Sequence, residues 1–331
     1  MRRAGNRVVC QLTPHAFRSV VSALIVAACA HPSPPAAASA APNSRSEVVR
    51  LRTDIEYLAS DRLAGRRAGT PGSDSAADFV ASRFADLGLR ALFVISDCAR
   101  APCRQSYFQL FNMRTMTATN VGAIITGSDP LMRDEFVAIS AHYDHLGRSA
   151  TDVKDLEPTA IHPGADDNAS GTAAMLELAR RLAERPPRRS VLVLAFGAEE
   201  LGLVGSRVFV EHPPLDLQRI AVAINLDMVG RLRRDELTVY GVESPHLRAL
   251  VDSANVAPRF ALSIEPKSSK RSDDYSFSTH GVPALHFTTG EHPSYHRATD
   301  TSRLIEFDGL ARVTDFVERV VRAAADGERV R

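Results

Sequence analysis

The sequence predicts an α/β protein, a three-layer α/β/α sandwich around a mixed, mainly parallel central sheet. Short and almost continuous apolar runs at residues 136–139, 191–196 and 220–224 are typical of strands that are covered on both faces. Between the first two runs, residues 170–184 carry one apolar stripe at helical spacing, and the Pro-Pro pair that follows would end this helix. Strands that alternate with helices in this way favour a mainly parallel sheet with helices packed on it.

The pattern of the first 29 residues predicts an export signal, so we do not expect these residues to be part of the fold. Several arginines precede an apolar run at residues 20–28, which is too short to span a bilayer as a mature helix. The run ends in a Val-Ala-Ala-Cys sequence similar to a bacterial lipobox, in which Cys29 would become the lipidated first residue. Cleavage near Ala30 or Ala40 without lipidation is the alternative. We therefore expect a periplasmic or secreted protein that contacts a membrane only through a lipid on Cys29.

Residues 30–46, rich in Pro, Ala and Ser, predict a flexible linker, and residues 47–331 predict a single catalytic domain without internal repeats. Two cysteines of this domain, Cys98 and Cys103, would enter an oxidising compartment, which predicts a local disulfide. Two free thiols would require a reducing compartment. Two cysteines alone are too few ligands for a structural zinc site.

The remaining elements follow from local patterns. Helical periodicity over residues 47–89 is interrupted by the glycine-rich segment 65–72, which predicts two helices joined by a loop. Residues 104–126 alternate as antiparallel strands do. A last apolar run at residues 284–287 predicts a strand, and the helix after it would bury Leu310, Val313, Phe316, Val317, Val320 and Val321.

The overall charge excludes two classes of partner. The chain has 331 residues, with 40 basic and 39 acidic side chains and a formal net charge of +1. A chain without an excess of one sign lacks the field that attracts nucleic acid or acidic membranes. We expect neither as a main partner.

Five short polar segments carry the carboxylates and imidazoles that a hydrolase with two metal ions needs. Three of them follow the predicted strands: His142 comes after the first, Glu199 and Glu200 after the second, and Asp227 after the third. Open α/β sheets bind ligands at the carboxyl ends of their strands, so these side chains should converge. Oxygen ligands mixed with imidazole suit zinc, and a shared carboxylate lets two ions lie side by side. The five segments are residues 142–145, 164–171, 198–200, 225–228 and 294–296.

In these segments the sequence resembles the secreted co-catalytic zinc aminopeptidases of clan MH, of the leucyl aminopeptidase and aminopeptidase Y type. The resemblance runs from about Leu58 to the C-terminal end and includes residues 63–72 and 272–277. Each segment alone is a weak indication, but five in the right order at strand ends are a strong one. The resemblance implies a zinc exopeptidase fold and peptide substrates.

The resemblance also implies a site for two zinc ions. His142 and Asp227 would bind one ion, Glu200 and His296 the other, and Asp167 would bridge both. Each ion would then keep an open position for a shared water, as a catalytic zinc requires.

Three further residues complete the site by resemblance. Glu199 is not a ligand and would act as the general base, taking a proton from the zinc-bound water and passing it to the leaving amine. The phenol of Tyr295 would stabilise the oxyanion, and Asp144 would orient His142. The predicted activity is hydrolysis of N-terminal residues from peptides by a hydroxide bound to two zinc ions.

Some assignments remain alternatives. Asp167 is preferred as the bridge because it directly precedes Asn168, where the family has a cis peptide bond, but Asp166 is the alternative. Arg66 is expected to hold loops, and Asp300 to cap the next segment or to bind the histidine loop. The other histidines of the domain near these motifs are expected to be loop or core residues; they are His145, His162, His286 and His292.

Two other functions are known on this architecture. Where many relatives have Ser-Asp-His, this chain has Ser272, Asp273 and Asp274, which leaves the substrate pocket undefined. One alternative is a glutaminyl cyclase with a single zinc, and the other is a binding ectodomain without catalysis. The presence of all five implied ligands argues against both.

Overall fold

A computed structural model of the chain describes residues 44–94, 105–148, 154 and 159–328. All of them belong to one unit, Pro42–Arg331. The predicted signal, the lipidation of Cys29 and the disulfide between Cys98 and Cys103 lie outside the described residues and stay predictions. None of the described helices combines the length and apolar character needed to cross a membrane.

The N-terminal part of the unit forms the two predicted helices and the predicted antiparallel strands. Helix α1, Ser44–Leu58, begins before the expected domain start at residue 47, and α2 is Pro71–Asp86. Pro71 occupies the first turn of α2, and the Thr70 hydroxyl accepts a hydrogen bond from the Ser73 amide (3.5 Å), so the loop chemistry sets where α2 begins. The strands that follow are β1 (Arg90–Ala91), β2 (Phe93–Val94), β3 (Gln105–Ser106), β4 (Phe108–Met113) and β5 (Met116–Ile125).

The central sheet is mixed, with four parallel strands at its centre. These are β6 (Phe136–His142), β7 (Ser190–Phe196), β8 (Ile220–Leu226) and β11 (Ala284–Thr288). Two shorter strands, β9 (Glu236–Tyr240) and β10 (Ala261–Ile264), extend the edge beyond β11. The strand order is β1-β5-β7-β6-β8-β11-β9-β10, and β4 pairs with β5. This arrangement confirms the predicted fold class.

Helices cover both faces of this sheet. The remaining ones are α3 (Gly171–Glu184), α4 (Val204–Glu211), α5 (Pro245–Ala254), α6 (Asp274–Ser278) and α7 (Phe307–Asp326). In β7, Val191 and Val193 belong to the core shared with α1, α2, α3, α5 and α7. Leu192 and Leu194 belong to a second core on the opposite face, where Phe209 of α4 also packs. Alternate residues therefore enter different cores, which explains why the strand is apolar throughout.

The parallel register places the carboxyl ends of three strands at one level. His142, the last residue of β6, is opposite Phe196, the last residue of β7. Ser140 of β6 is opposite Asn225 of β8, so Asp227 leaves the sheet beside His142. The fold thereby brings together segments that are distant in the sequence.

A buried arginine, Arg181 of α3, joins three helices on the larger core. Its guanidinium lies 2.5 Å from a Glu47 oxygen of α1, 3.2 Å from Glu177, and 2.7 and 2.8 Å from Asp315 and Glu318 of α7. Glu47 and Glu177 are almost fully buried, so Arg181 neutralises carboxylates that water does not reach.

Replacing Arg181 by Ala should destabilise the protein by about 3–5 kcal/mol, because it leaves the buried carboxylate of Glu47 without its cation, whereas Glu177 keeps Arg50 and Arg180. Urea unfolding would measure this change. The matched control is Arg248→Ala, since Arg248 forms an exposed pair with Asp252 within α5 (2.7 Å), for which we expect a loss below about 1 kcal/mol. Equal effects of the two substitutions would show that the buried cluster does not stabilise the fold.

Candidate metal centre

Acidic and imidazole side chains at or just after the ends of three strands line one cavity. His142 Nε2 lies 3.4 Å from Asp227 Oδ1 and 3.9 Å from Glu199 Oε2. Glu199 and Glu200 leave the sheet through a turn in which Ala198 has a positive φ of 59°. The same cavity is lined by Asp167, Glu200 and His296. The structure thus brings together all five residues of the expected ligand set and Glu199, while their roles remain predictions.

Asp167 lies between the two halves of the cluster. It belongs to a π-helical turn, Ala165–Ser170, that precedes α3, and its peptide bond to Asn168 is cis, as the resemblance implies. Oδ1 lies 3.4 Å from His142 Nε2, and Oδ2 lies 3.2 Å from His296 Nε2. The two oxygens of one carboxylate therefore face imidazoles on opposite sides.

Glu200 and His296 form the second half of the cluster. Glu200 Oε2 lies 3.4 Å from His296 Nε2, and Glu200 Oε1 is 2.6 Å from His145 Nδ1, at hydrogen-bond distance. Burial lowers the pKa of His145 well below its usual value, which favours a neutral imidazole. The expectation that His145 is a satisfied residue holds for Nδ1, which contacts Glu200, but Nε2 has no hydrogen-bond partner among the described residues.

The donor set fits divalent cations. Asp167, Glu199 and Asp227 are each at most 8% exposed, and Asp227 Oδ1 has no hydrogen-bond partner among the described residues. Burial and the neighbouring carboxylates raise the pKa of Glu200 well above its usual value, which shows how unfavourable these negative charges are without a cation. Bound metal ions would remove this repulsion.

Among the described residues, two groups of three side chains have ligand atoms within 4.8 Å of one another: His142, Glu199 and Asp227, and His142, Asp167 and Glu200. The first group contains Glu199, which the resemblance makes a base rather than a ligand. The second contains His142 in place of His296. His142 belongs to both groups because its Nε2 lies 3.4 Å from Asp167 and 3.9 Å from Glu199.

A chain of hydrogen bonds orients Asp227 from behind. The Ser140 hydroxyl donates to Asn225 Oδ1 (2.8 Å), and Asn225 Nδ2 donates to Ser272 Oγ (2.7 Å). The Ser272 hydroxyl in turn donates to Asp227 Oδ2 (2.6 Å), which leaves Oδ1 directed at His142. No local pattern indicates this role for Ser272, because its partner lies 45 residues away.

Replacing Ser272 by Ala should weaken zinc binding about 10- to 100-fold, because Asp227 loses the hydrogen bond that fixes its orientation. Competition with a fluorescent zinc chelator would measure the affinity. Ser278→Ala is the matched control on α6, since the Ser278 hydroxyl bonds only to the Tyr275 carbonyl (3.1 Å). An unchanged affinity in Ser272→Ala would contradict the assignment of Asp227 as a ligand.

Asp144 contacts the backbone of Glu199 more closely than the imidazole of His142, which it was expected to orient. Its Oδ1 accepts a hydrogen bond from the Glu199 amide (3.0 Å) and lies 3.9 Å from His142 Nδ1. The nearest acceptor to His142 Nδ1 is the backbone carbonyl of Asp144, at 3.3 Å. The carboxylate of Asp144 therefore holds the turn that contains Glu199, and the backbone carbonyl of Asp144 orients the imidazole of His142.

Tyr295 covers the outer side of the cluster. Its ring stacks on His296, with 3.8 Å between the centroids, and its hydroxyl accepts a hydrogen bond from Arg271 Nη2 (3.0 Å). Burial and the carboxylates nearby raise the pKa of Tyr295, so the phenol keeps its proton. A protonated phenol is the form that can donate to an oxyanion.

Buried side chains from outside the motifs hold the Asp167 turn. The Asp300 side chain accepts hydrogen bonds from the amides of Asp166 (3.0 Å) and Asp167 (3.1 Å), a contact that was not expected, and its amide donates to the Arg297 carbonyl in the histidine loop (3.0 Å), as one of the two expectations for it had it. Arg66 is fully buried and donates to the carbonyls of Tyr143 (2.7 Å) and Gly164 (2.7 Å), among others, which confirms that it holds loops.

Asp166, the alternative bridge, is bound elsewhere. Its Oδ1 accepts a hydrogen bond from the Gly230 amide (2.7 Å), and its Oδ2 lies 3.2 Å from His292 Nε2. These contacts hold the carboxylate of Asp166 against a neighbouring loop, and they favour Asp167 as the bridge.

The chain is similar to known proteins in sequence and in fold. Residues 120–321 match the model of peptidase family M28. Aminopeptidase YwaD of Bacillus subtilis is 32% identical over 205 residues, which cover 59% of this chain and 42% of that protein. The chain thus spans less than half the length of this curated relative.

Solved structures share the fold. A zinc aminopeptidase from Bacillus subtilis, BSAP, superposes with a TM-score of 0.67 at 21% identity, covering 85% of this chain and 95% of the other. A glutaminyl cyclase from Bacteroides thetaiotaomicron has a TM-score of 0.65 at 17% identity and covers 85% and 97%. The fold alone therefore does not distinguish peptide hydrolysis from cyclisation.

Proposed function

Because the chain belongs to peptidase family M28, we propose that it is a zinc-dependent aminopeptidase that removes N-terminal residues from peptides. Two zinc ions would be held by the residues assigned above: His142 and Asp227 on one side, Glu200 and His296 on the other, with Asp167 between them. The position of Asp167 carries this proposal, because its two oxygens lie 3.4 and 3.2 Å from the imidazoles of opposite halves. A carboxylate between two imidazoles could contact an ion on each side.

The metal ions and the side chains would have different roles in the reaction. When bound, zinc supplies a Lewis acid and lowers the pKa of a water molecule. Glu199 accepts the proton of the attacking water and delivers it to the leaving amine, and burial raises its pKa above the usual value, which makes this carboxylate a stronger base than an exposed one. The Tyr295 hydroxyl donates a hydrogen bond to the oxygen of the scissile carbonyl as it becomes negative.

The test is hydrolysis of a peptide library by the purified chain with zinc, with each peptide supplied with a free and with an acetylated N-terminus. We expect release of single N-terminal residues from the free peptides only, and loss of this activity on chelation. Conversion of Gln-peptides to pyroglutamyl products without release of residues would instead support a cyclase. Folded, zinc-containing protein that leaves every peptide unchanged would contradict both.

We also propose that the chain is exported and lipid-anchored at Cys29. Support comes from the arginines, the short apolar run and the Val-Ala-Ala-Cys sequence at residues 26–29. Palmitate labelling of the chain in a bacterial host should be lost in Cys29→Ser. Labelling that persists in this variant would contradict the anchor.

A further inference from the structure

Two cavities of different size meet at the carboxylate and imidazole cluster. The smaller one, about 130 Å³, extends from the cluster to Met228, Tyr240 and His286 at the sheet end. The larger one, about 440 Å³, extends in another direction to Lys154 and Lys270. Both contain Glu199, Glu200, Arg271, Tyr295 and His296 in their walls, so a peptide bound at the cluster can occupy both.

The sizes decide which part of the substrate each cavity takes. An aminopeptidase accepts one residue on the N-terminal side of the scissile bond and a chain of any length on the other. The smaller cavity, with space for a single side chain, suits the N-terminal residue. The larger cleft therefore receives the leaving part of the peptide, an assignment that rests on the proposed function.

We propose that this cleft contains a carboxylate-binding subsite, formed by Lys270 with Arg271 and Lys154, that selects peptides by a negative charge just beyond the scissile bond. Carboxylate is the chemistry that cationic side chains on a peptide-binding surface recognise. It can come from the C-terminus of a dipeptide or from an acidic side chain in a longer peptide.

The charges along the cleft support this subsite. Lys154 Nζ lies 4.1 Å from the Tyr295 ring centroid and 3.8 Å from Glu291 Oε2, and the Lys154 amide donates to the His296 carbonyl (3.0 Å). Arg271 binds Glu291 (2.6 Å) and the Tyr295 hydroxyl (3.0 Å). Two cations thus share one carboxylate directly beside the cluster.

Lys270 is the cation that remains available. It is exposed, and no other described residue forms an ion pair with it. Glu291 already contacts both Arg271 and Lys154, and the other two carboxylates of the cleft, Glu199 and Glu200, belong to the cluster. An unpaired lysine next to a fixed arginine is available to a carboxylate of the substrate without first breaking an ion pair.

The experiment compares four substrates that share the N-terminal residue Xaa that the peptide library shows to be preferred. Xaa-Ala and Xaa-Ala-amide differ only in the C-terminal carboxylate, and Xaa-Asp-amide and Xaa-Asn-amide differ only in the side-chain carboxylate. At low salt, the zinc-loaded enzyme should show kcat/KM roughly three- to tenfold higher for the charged member of at least one pair, through a lower KM. The pair that shows the difference identifies the source of the carboxylate. The preference should shrink at 0.5 M salt, because exposed charges are screened.

The variant is Lys270→Gln, and its control is Lys267→Gln. Lys267 is an exposed lysine of the same loop that does not line the cleft. Lys270→Gln should abolish at least half of the preference for charged substrates while kcat/KM for the neutral amides stays within about twofold, and Lys267→Gln should change neither.

The outcomes separate the subsite from the activity. Hydrolysis of all four substrates with equal kcat/KM, or a preference that Lys270→Gln leaves intact, would overturn the subsite and leave the aminopeptidase proposal standing. Hydrolysis of none of them by folded, zinc-containing protein would overturn the activity and the subsite together.

Discussion

Replacing Glu199 by Gln should lower kcat/KM for peptide hydrolysis about 10²- to 10⁴-fold while the zinc content stays unchanged. The effect follows from the position of Glu199 in the cluster, where its Oε2 lies 3.9 Å from His142 Nε2. Gln has the same shape but cannot accept a proton, so the variant removes proton transfer and retains the packing. General bases contribute rate factors of this size.

The measurement is steady-state kinetics together with metal analysis of the same samples. Glu211→Gln is the matched control, because Glu211 is an exposed residue at the end of α4 and should behave as the wild type. Glu199 belongs to one of the two candidate groups of metal ligands. Loss of zinc in Glu199→Gln would therefore show that Glu199 is a ligand. Retained zinc with full activity would show that another group is the base.

The central sheet was predictable because its strands are buried on both faces. Every residue of β6, β7 and β8 is buried, so each strand appears in the sequence as a continuous apolar run. Strands β9 and β10 were not predicted, since they are only five and four residues long and have exposed positions, and β10 is the edge strand of the sheet. Helix α5 was also not predicted, although Ser244 caps its first turn by accepting a hydrogen bond from the Leu247 amide (3.2 Å).

The predicted site residues converge because a parallel sheet aligns its strand ends. This reasoning needs only the strands and the polar residues directly after them, such as His142 and Asp227. The supporting residues required the structure. Asp300 binds amides that are 134 and 133 residues away, and Ser272 binds a carboxylate 45 residues away. No local pattern encodes such contacts, because the loops that carry them are positioned by the whole fold.

Replacing Asp167 by Asn should remove most of the bound zinc and reduce peptide hydrolysis to the background. Asn keeps the shape but loses the charge that balances two cations, and its nitrogen cannot be a ligand. The oxygens of Asp167 lie 3.4 Å from His142 Nε2 and 3.2 Å from His296 Nε2, so the substitution affects both halves of the cluster. Metal analysis after dialysis should give fewer than one zinc ion per chain.

Unfolding measurements distinguish loss of metal from loss of structure. A metal that binds only the folded chain stabilises it by about 2.7 kcal/mol when its concentration is 100 times Kd. The wild type should therefore lose stability on chelation, whereas Asp167→Asn should respond weakly. Without metal, Asp167→Asn should unfold at a lower urea concentration than the wild type, because His142 and His296 hold the pKa of Asp167 well below its usual value and so stabilise its charged form in the folded chain.

Asp166→Asn provides the reciprocal control for the choice of bridge. Asp166 is held by the Gly230 amide (2.7 Å) and lies 3.2 Å from His292 Nε2, so its substitution should lower stability with and without zinc but leave the zinc content unchanged. Loss of zinc in Asp166→Asn with retention in Asp167→Asn would reverse the two assignments. Asp166 and Asp167 are adjacent and both buried, so only their contacts distinguish them. The variants Asp166→Asn and Asp167→Asn test those contacts directly.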